Sequence, residues 1–539
     1  MNSRKILIYL ALGMVSWLLV SAWEDFRHQK SADNATNGIV SSTVDLPVSI
    51  DQSSTVMLKS KDLTVMIDRL GGKIVQTNLN QYNLTKNSSD KVHVFSKDGS
   101  NPFYASSGFS GDAQLLYQIK KQDAKSLILK ASHDGVVYEK TITLKPDYQI
   151  KVDASVTNQG PKIWYGRGYV DLTAFKVTKL DANMKMPAPS EFIAGENAAH
   201  TKSGLFGFNT YTGAAYYSPD APYSKLPYDE MASTGINKRV KDSWLAIQKR
   251  YFLGALVPPK GQSYDLVSQW KSGFSPTSKT TYVEQMKLQL IAAPQTLAPK
   301  EVAYFNSVAY AGPEIRSILS DVSPGLDKTI DYGFLWFISI AIFYLMDHIQ
   351  WLVHNWGVTI ILSTTLIRLL FFKLQESGNE SMERMKKIGP QLEALNAQYA
   401  NDPEAKNAAV LALYKKEKVN PISGCLPMLI QIPFYIATYH VVMEAVQLRH
   451  QSFLWIKDLS ATDPYYIMPL LLGVAIYFQT RMTPASSDPM QENMKMIFPV
   501  ILVMVSLSMP AGVSLYIFTS TVLGVAQQQL TSSRLKSRR

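Results

Sequence analysis

Residues Gly357 to Phe372 read GVTIILSTTLIRLLFF, an apolar segment with one arginine, Arg368, inside it. A guanidinium at the bilayer centre costs roughly 2.5 to 3.5 kcal/mol on insertion scales, so water, a lipid phosphate or a visiting carboxylate must solvate it. The later apolar segments offer no mid-membrane Asp or Glu as a partner. Such an arginine is either functional or an anchor. Lys373 lies five residues on, about 8 Å of helix away, so the side chain could also snorkel to the interface. Thr364, four residues earlier, lies on the same helical face and extends the polarity inward.

The chain around this segment has two unlike parts. At 539 residues it exceeds one ordinary domain, and 46% hydrophobic content with a mean hydropathy near zero is too polar for a protein that is membrane throughout. Up to residue 330 it is polar and punctuated by turns; beyond that come apolar runs of about 17 to 24 residues, long enough to cross a hydrocarbon core. The net charge of +11 is not a nucleic-acid signature, because much of the positive charge near the spans sits in short loops and the tail, where it sets topology. The lone cysteine, Cys425, excludes an intrachain disulfide and any multi-cysteine metal site.

At the N-terminus Arg4 and Lys5 precede Ile6 to Trp23, an apolar stretch of spanning length. Residues 1–24 therefore read as a transmembrane anchor or, given Val20-Ser21-Ala22, as a cleaved signal peptide. Both deliver the following chain to the outside. Residues 25–55, rich in Ser, Thr, Asn and Asp, read as a linker. From 56 to 330 the dominant period is two: Ile150, Val152, Ala154 and Val156 share a face, and Leu63 to Ile67 runs into the turn signal Gly71-Gly72. These strands predict a β-sandwich. His93, His133 and His200 fall in no ligand spacing, and no nucleophile elbow is present, so the sandwich reads as a binding or positioning module.

Residues 331–355 contain an apolar helix whose second half is polarised by Asp347, His348 and Gln350, which predicts an interfacial amphipathic helix. Loop charges then fix the remaining topology. Spans are expected at Trp356 to Lys373, Cys425 to Gln447, Pro464 to Thr480, Met496 to Met509 and Ala511 to Gln527. These five crossings make up a core over 356–530, with both chain termini cytoplasmic and a basic tail at 531–539. Within the core, 374–424 carries seven Lys/Arg and reads as a cytoplasmic helical hairpin. Met382, Met385, Ile388, Leu392 and Leu395 form its apolar stripe, and Asp402-Pro403-Glu404 opens its second helix. Gln431 and Tyr516 stand at depths that could meet the Arg368 face, although such residues also serve as packing partners between membrane helices. Twelve of the twenty methionines follow residue 333, in keeping with surfaces that accept varied apolar partners.

Four stretches carry a family resemblance. LYKKEKVNPISGCLPMLIQIPFY (Leu413 to Tyr435), FLWIKDLSATDPYYIMPLLLG (Phe453 to Gly473), DPMQ (Asp488 to Gln491) and AQQQL (Ala526 to Leu530) stand in an order and spacing that resembles the YidC membrane protein insertases. The resemblance implies an uncleaved N-terminal span, a periplasmic sandwich of sugar-epimerase-like fold without catalysis, and location in the bacterial inner membrane. It implies that Arg368 is the groove arginine, lined with Thr364, Gln431 and Tyr516. Relatives often carry two adjacent tyrosines in the last span, whereas Ile517 follows Tyr516 here. Met428 and Met504, on the third and fifth spans counted from the N-terminus, are candidates for the surface along which a client helix slides.

Implied partners are nascent membrane proteins, the ribosome, the Sec translocon with its accessory subunits, and acidic phospholipids; no cofactor, metal or specific nucleic-acid sequence is implied. Hydrophobic transfer of the client supplies the free energy, on the order of 25 cal/mol per Å² of apolar surface, and no nucleotide-binding motif is visible. The rival readings are a membrane-anchored periplasmic carbohydrate-binding protein, for which the sandwich would be essential, and a secondary transporter, for which paired repeats are lacking.

Overall fold

The computed structural model describes residues 54–96, 102–179, 211–226, 231, 235–275, 278–399, 402–417, 421–482 and 489–537. The N-terminal segment 1–24 and nearly all of the linker 25–55 lie outside these. The chain divides into two compact units, with the main boundary between Thr329 and Ile330.

The first unit is the β-sandwich. Strict alternation of buried and partly exposed residues over Val136–Leu144 and Gln149–Asn158 puts Ile150, Val152, Ala154 and Val156 in the core. These two strands form a hairpin whose turn holds Asp147 and Tyr148 at φ of 57° and 62°. The turn after Leu63–Asp68 uses Gly71 and Gly72 at φ of 78° and 62°, and a Cβ on Gly71 would lie 2.6 Å from the Ala113 carbonyl oxygen.

Among the described residues two nine-stranded antiparallel sheets face one another, with a two-stranded ribbon beside them. One sheet runs from the edge strand Thr55–Lys59 through Gly168–Lys179, Ser278–Ala292 and Ser263–Ser275 to Asn237–Lys241. The other runs from Ala221–Leu226 to Gln118–Gln122, and in it Val302–Pro313 pairs with Gln149–Asn158. Between the sheets, Phe109 meets Phe305 edge-on and the Ser107 and Ser307 hydroxyls hydrogen-bond at 2.6 Å.

One ion pair lies wholly inside this core. Lys140 and Asp112 stand 2.9 Å apart with each side chain 1% exposed. Lys140 also donates to the Gly71 carbonyl at 2.7 Å, while Asp112 accepts from Tyr169 Oη at 2.8 Å, Tyr117 Oη at 3.3 Å and the Phe109 amide at 3.2 Å. A strand of one sheet is thereby tied to the Gly71 turn of the other and to the connection, holding Asp112, that links the two sheets.

The second unit is helical. Its elements are α2 (Trp336–Val353), α3 (Trp356–Leu370), α4 (Phe372–Lys387), α5 (Gly389–Gln398), α6 (Pro403–Lys416), α7 (Pro421–Glu444), α8 (Ile467–Arg481), α9 (Pro489–Ser506) and α10 (Ala511–Ser537), with α1 (Arg316–Val322) closing the preceding unit. Helix α2 buries Ser339, Ile342 and Met346 and leaves Trp336, Phe337, Trp351 and Leu352 exposed. By length and composition it is long and apolar enough to cross a membrane, where the sequence reading expects an interfacial helix. Its left-handed cap His354 and the Asn355 side chain, which accepts from the Val358 amide, turn the chain directly into α3.

The structure corrects three boundaries. The span expected to run unbroken from Trp356 to Lys373 ends at Leu370, and α4 leaves it at a bend of 70°. Arg368 is consequently in the last turn of α3, and Lys373 is not on the same helix. The hairpin stripe breaks at Ile388, which ends α4 and starts α5. The segment 531–537, expected as a tail, continues α10 as helix. The hairpin stripe packs on its own second helix: Ile388 and Leu392 are buried with Met385, Val410, Leu413 and Tyr414. Asp402 caps α6 by accepting from the Glu404 and Ala405 amides.

Candidate functional site

Helix α3 tolerates hydroxyls in an apolar sequence because they bond back into its own backbone. Thr364 Oγ1 donates to the Ile360 carbonyl at 2.6 Å, Ser363 Oγ to the same carbonyl, and Thr365 Oγ1 to Ile361. Arg368 differs, since all its donors must be answered from elsewhere. Its Nε donates to Ser520 Oγ on α10 at 3.1 Å, and its Nη1 donates to Gln375 Oε1 on α4 at 3.1 Å. The residue is 9% exposed, so it turns into the protein and does not snorkel away from it.

Ser520 is the hub of this arrangement. It also accepts from Gln431 Nε2 at 2.8 Å and lies 3.2 Å from Tyr435 Oη, while Gln431 Nε2 is 2.7 Å from the same phenol. Tyr435 in turn meets Tyr516 edge-on, with ring centroids 5.5 Å apart. Tyr516, Ser520 and Gly524 recur every four residues and so present one face of α10. A Cβ on Gly524 would lie 3.0 Å from Arg368 Nη1, so only a glycine leaves the guanidinium its full room.

Thr364, Arg368, Gln431 and Tyr516 line a single cavity of about 20 Å³ with Gln375 and Ser520, and Ile367, Phe371, Leu374 and Phe434 supply its apolar lining. This is room for about one water. Phe371 and Phe434 contact edge-on at 4.8 Å. The structure thus brings together all four residues expected from the sequence to line the groove. Met504 is away from it, 63% exposed on α9 in a row with Ile497, Val500 and Ile501. The Met428 side chain lies outside the described residues.

Sequence reasoning missed Ser520, Gln375, Tyr435 and Gly524. A signal for Ser520 and Gly524 was available: they follow Tyr516 at intervals of four. The glutamines of the AQQQL stretch also have a structural task. Gln527 donates a second hydrogen bond to the Phe372 carbonyl in the first turn of α4, and Gln528 donates to the Met482 carbonyl, which the end of α8 leaves open.

Residues 348–538 match the family described as 60Kd inner membrane protein, and residues 55–345 match the YidC periplasmic domain. A membrane protein insertase YidC from Legionella pneumophila (strain Paris) is 32% identical over 572 residues, covering 98% of this chain and 96% of its own. Among solved structures, an active YidC insertase with its first transmembrane domain resolved is 19% identical, covers 88% of this chain and 92% of its own, and superposes with a TM-score of 0.37. A galactose mutarotase related enzyme from Lactobacillus acidophilus is 9% identical, covers 48% of this chain and 97% of its own, and has a TM-score of 0.26. Two family matches that together span nearly all of the described chain, and full-length identity above 30%, leave one conclusion: the chain belongs to the YidC family of membrane protein insertases.

Proposed function

We propose that the protein inserts nascent membrane proteins by receiving a client's polar external segment at Arg368 while the client's apolar helix passes into lipid. The observation that carries this is a guanidinium 9% exposed, hydrogen-bonded among the described residues only to neutral oxygens, on the wall of a cavity. A buried cation without a carboxylate favours whatever anion can reach it. Client carboxylates entering the membrane otherwise lose their hydration, and Arg368 lowers that barrier.

With room for about one water, the cavity must widen to admit a segment of chain. The Phe371 and Phe434 rings line its apolar side, and their separation opens a path from the cation to the lipid. The client helix then slides along the exposed row Ile497, Val500, Ile501 and Met504 of α9, with Met428 of α7 as the second sliding residue. Apolar transfer drives the step, at about 25 cal/mol per Å².

In this reading the insertase is an inner-membrane protein with a periplasmic sandwich, six crossings and both termini in the cytoplasm. The α5–α6 hairpin meets the emerging chain, and the ribosome, acidic phospholipid or the Sec translocon with its accessory subunits engages the cytoplasmic and lateral faces. The protein works alone or beside that translocon, without cofactor.

The test is site-specific photocrosslinking from positions 364, 431 and 504 during synthesis of a small membrane protein with an acidic external segment. Nascent-chain adducts are expected at all three. Their absence from 364 and 431 rejects the groove.

A further inference from the structure

Among the described residues the hydrogen-bond partners of Arg368 are uncharged, and the acid that follows one of them in sequence is paired elsewhere. Ser520 takes Nε and Gln375 takes Nη1, two bonds for a group with five N–H donors. The residue after Gln375 is an acid, Glu376, whose Oε1 is held 3.0 Å from Arg534 Nη1. Arg534 belongs to α10, the helix that supplies Ser520 and Gly524. On the next turns of α4, Glu383 is paired with Lys386 at 2.9 Å. Arg368 also occupies the last turn of α3, where the carbonyl end of the helix favours a cation.

We infer that Gln375, Ser520 and Gly524 form a neutral cradle that fixes the guanidinium while leaving its charge uncompensated, and that this neutrality sets the insertase's preference for clients with acidic external segments. The inference rests on the groove reading above and assigns roles to residues outside it. Gln375 and Ser520 are positioning residues: each gives the cation a directed acceptor without an opposing charge. Arg534 acts at one remove, drawing off the carboxylate nearest in sequence to the cradle. Gly524 supplies the space.

The decisive change is Gln375→Glu, which places a carboxylate where an amide oxygen now lies 3.1 Å from Nη1. A bidentate internal pair then competes with the client for the same fork of donors. The measurement is insertion into liposomes containing the purified full-length protein, using one client with two acidic residues in its external segment and the same client with those residues replaced by Gln.

Gln375→Glu is expected to lower insertion of the acidic client by about tenfold or more, at least about fivefold beyond its effect on the neutral client, since an internal charged bond replaces the client's own. Ser520→Ala, which removes an acceptor without adding charge, is expected to lower the acidic client by about three- to tenfold and the neutral client by less, with Ser520→Thr restoring insertion. Equal losses on both clients in both variants, or no loss on the acidic client with Gln375→Glu, overturn the cradle. Arg368→Ala separates the two readings. If it impairs the acidic client and Gln375→Glu does not, only the cradle fails; if it has no effect, the groove reading and the cradle fall together.

Discussion

Replacing Lys140 by Met removes the positive half of the ion pair buried in the sandwich. The replacement has nearly the same length and no charge, so packing is kept and the electrostatic change dominates. What remains is Asp112, 1% exposed at its side chain, still accepting from Phe109, Tyr117 and Tyr169. Breaking a buried pair by removing one partner costs about 3 to 5 kcal/mol. The three surviving donors hold the anion and place the expected loss toward the lower end, about 3 to 4 kcal/mol. For a domain of this size each kcal/mol lowers the Tm by about 2 to 4 °C, so the transition should fall by about 6 to 16 °C. The assay is thermal unfolding of the full chain in detergent, followed by the emission of the sandwich tryptophans. Asp112→Asn alone should be comparably harmful, because it strands the Lys140 ammonium. The double variant should recover part of the loss, with a coupling of about 1 kcal/mol or more. A Tm shift below about 3 °C for Lys140→Met, or losses that simply add in the double variant, refutes the claim that the pair holds the sheets together.

Other outcomes follow from single features. Burial pushes the Lys249 amine down to about 8, so the folded sandwich binds fewer protons there than the unfolded chain between about pH 8 and 10.5. Stability attributable to this group should rise with pH across that window, and Lys249→Met should raise the Tm at pH 7 by more than at pH 10 in paired calorimetric scans. Asp402→Ala removes the cap of α6 and should lower hairpin stability by about 1 kcal/mol, read as faster hydrogen exchange over 403–407. A Cβ on Gly357 would lie 2.2 Å from the Phe453 ring, so Gly357→Ala must displace that ring and should destabilise the helical unit by about 1 to 3 kcal/mol in detergent unfolding.

The elements most legible in the sequence were those with local causes. Asp402-Pro403-Glu404 announces a helix start because cap, proline and acid each act within one turn, and the alternation over Gln149–Asn158 reports its buried face directly. The bend after Leu370 was not legible. Phe371 and Phe372 prolong the apolar run, and neither glycine nor proline marks the break; the side chain that bonds to the backbone beside it, Gln527, is more than 150 residues away. Strand pairing was hidden for the same reason, as in Val302–Pro313 against Gln149–Asn158. At the site, Thr364 and Arg368 were legible because a helix places residues four apart on one face. Gln375 and Tyr435 were not, because their roles exist only once α4, α7 and α10 are packed around α3; Ser520 could have been read from its spacing to Tyr516, but not its bond to Arg368.

Lys140 and Arg368 are therefore buried in opposite ways, and the contrast separates structural work from the functional work proposed for Arg368. Lys140 has a carboxylate at 2.9 Å, a carbonyl at 2.7 Å and the Tyr117 ring beneath it, a set that leaves no demand for an outside anion. Arg368 has a hydroxyl and an amide oxygen, and the acid nearest to its cradle in sequence is bound by Arg534. Had stability been the only requirement at residue 368, a carboxylate at position 375 would have matched the solution the sandwich already uses. An apolar residue at 368 would have removed the desolvation cost altogether. Neither is present. Holding the guanidinium with neutral acceptors keeps it oriented and charged, which suits a site whose counter-ion arrives with the client and leaves with it.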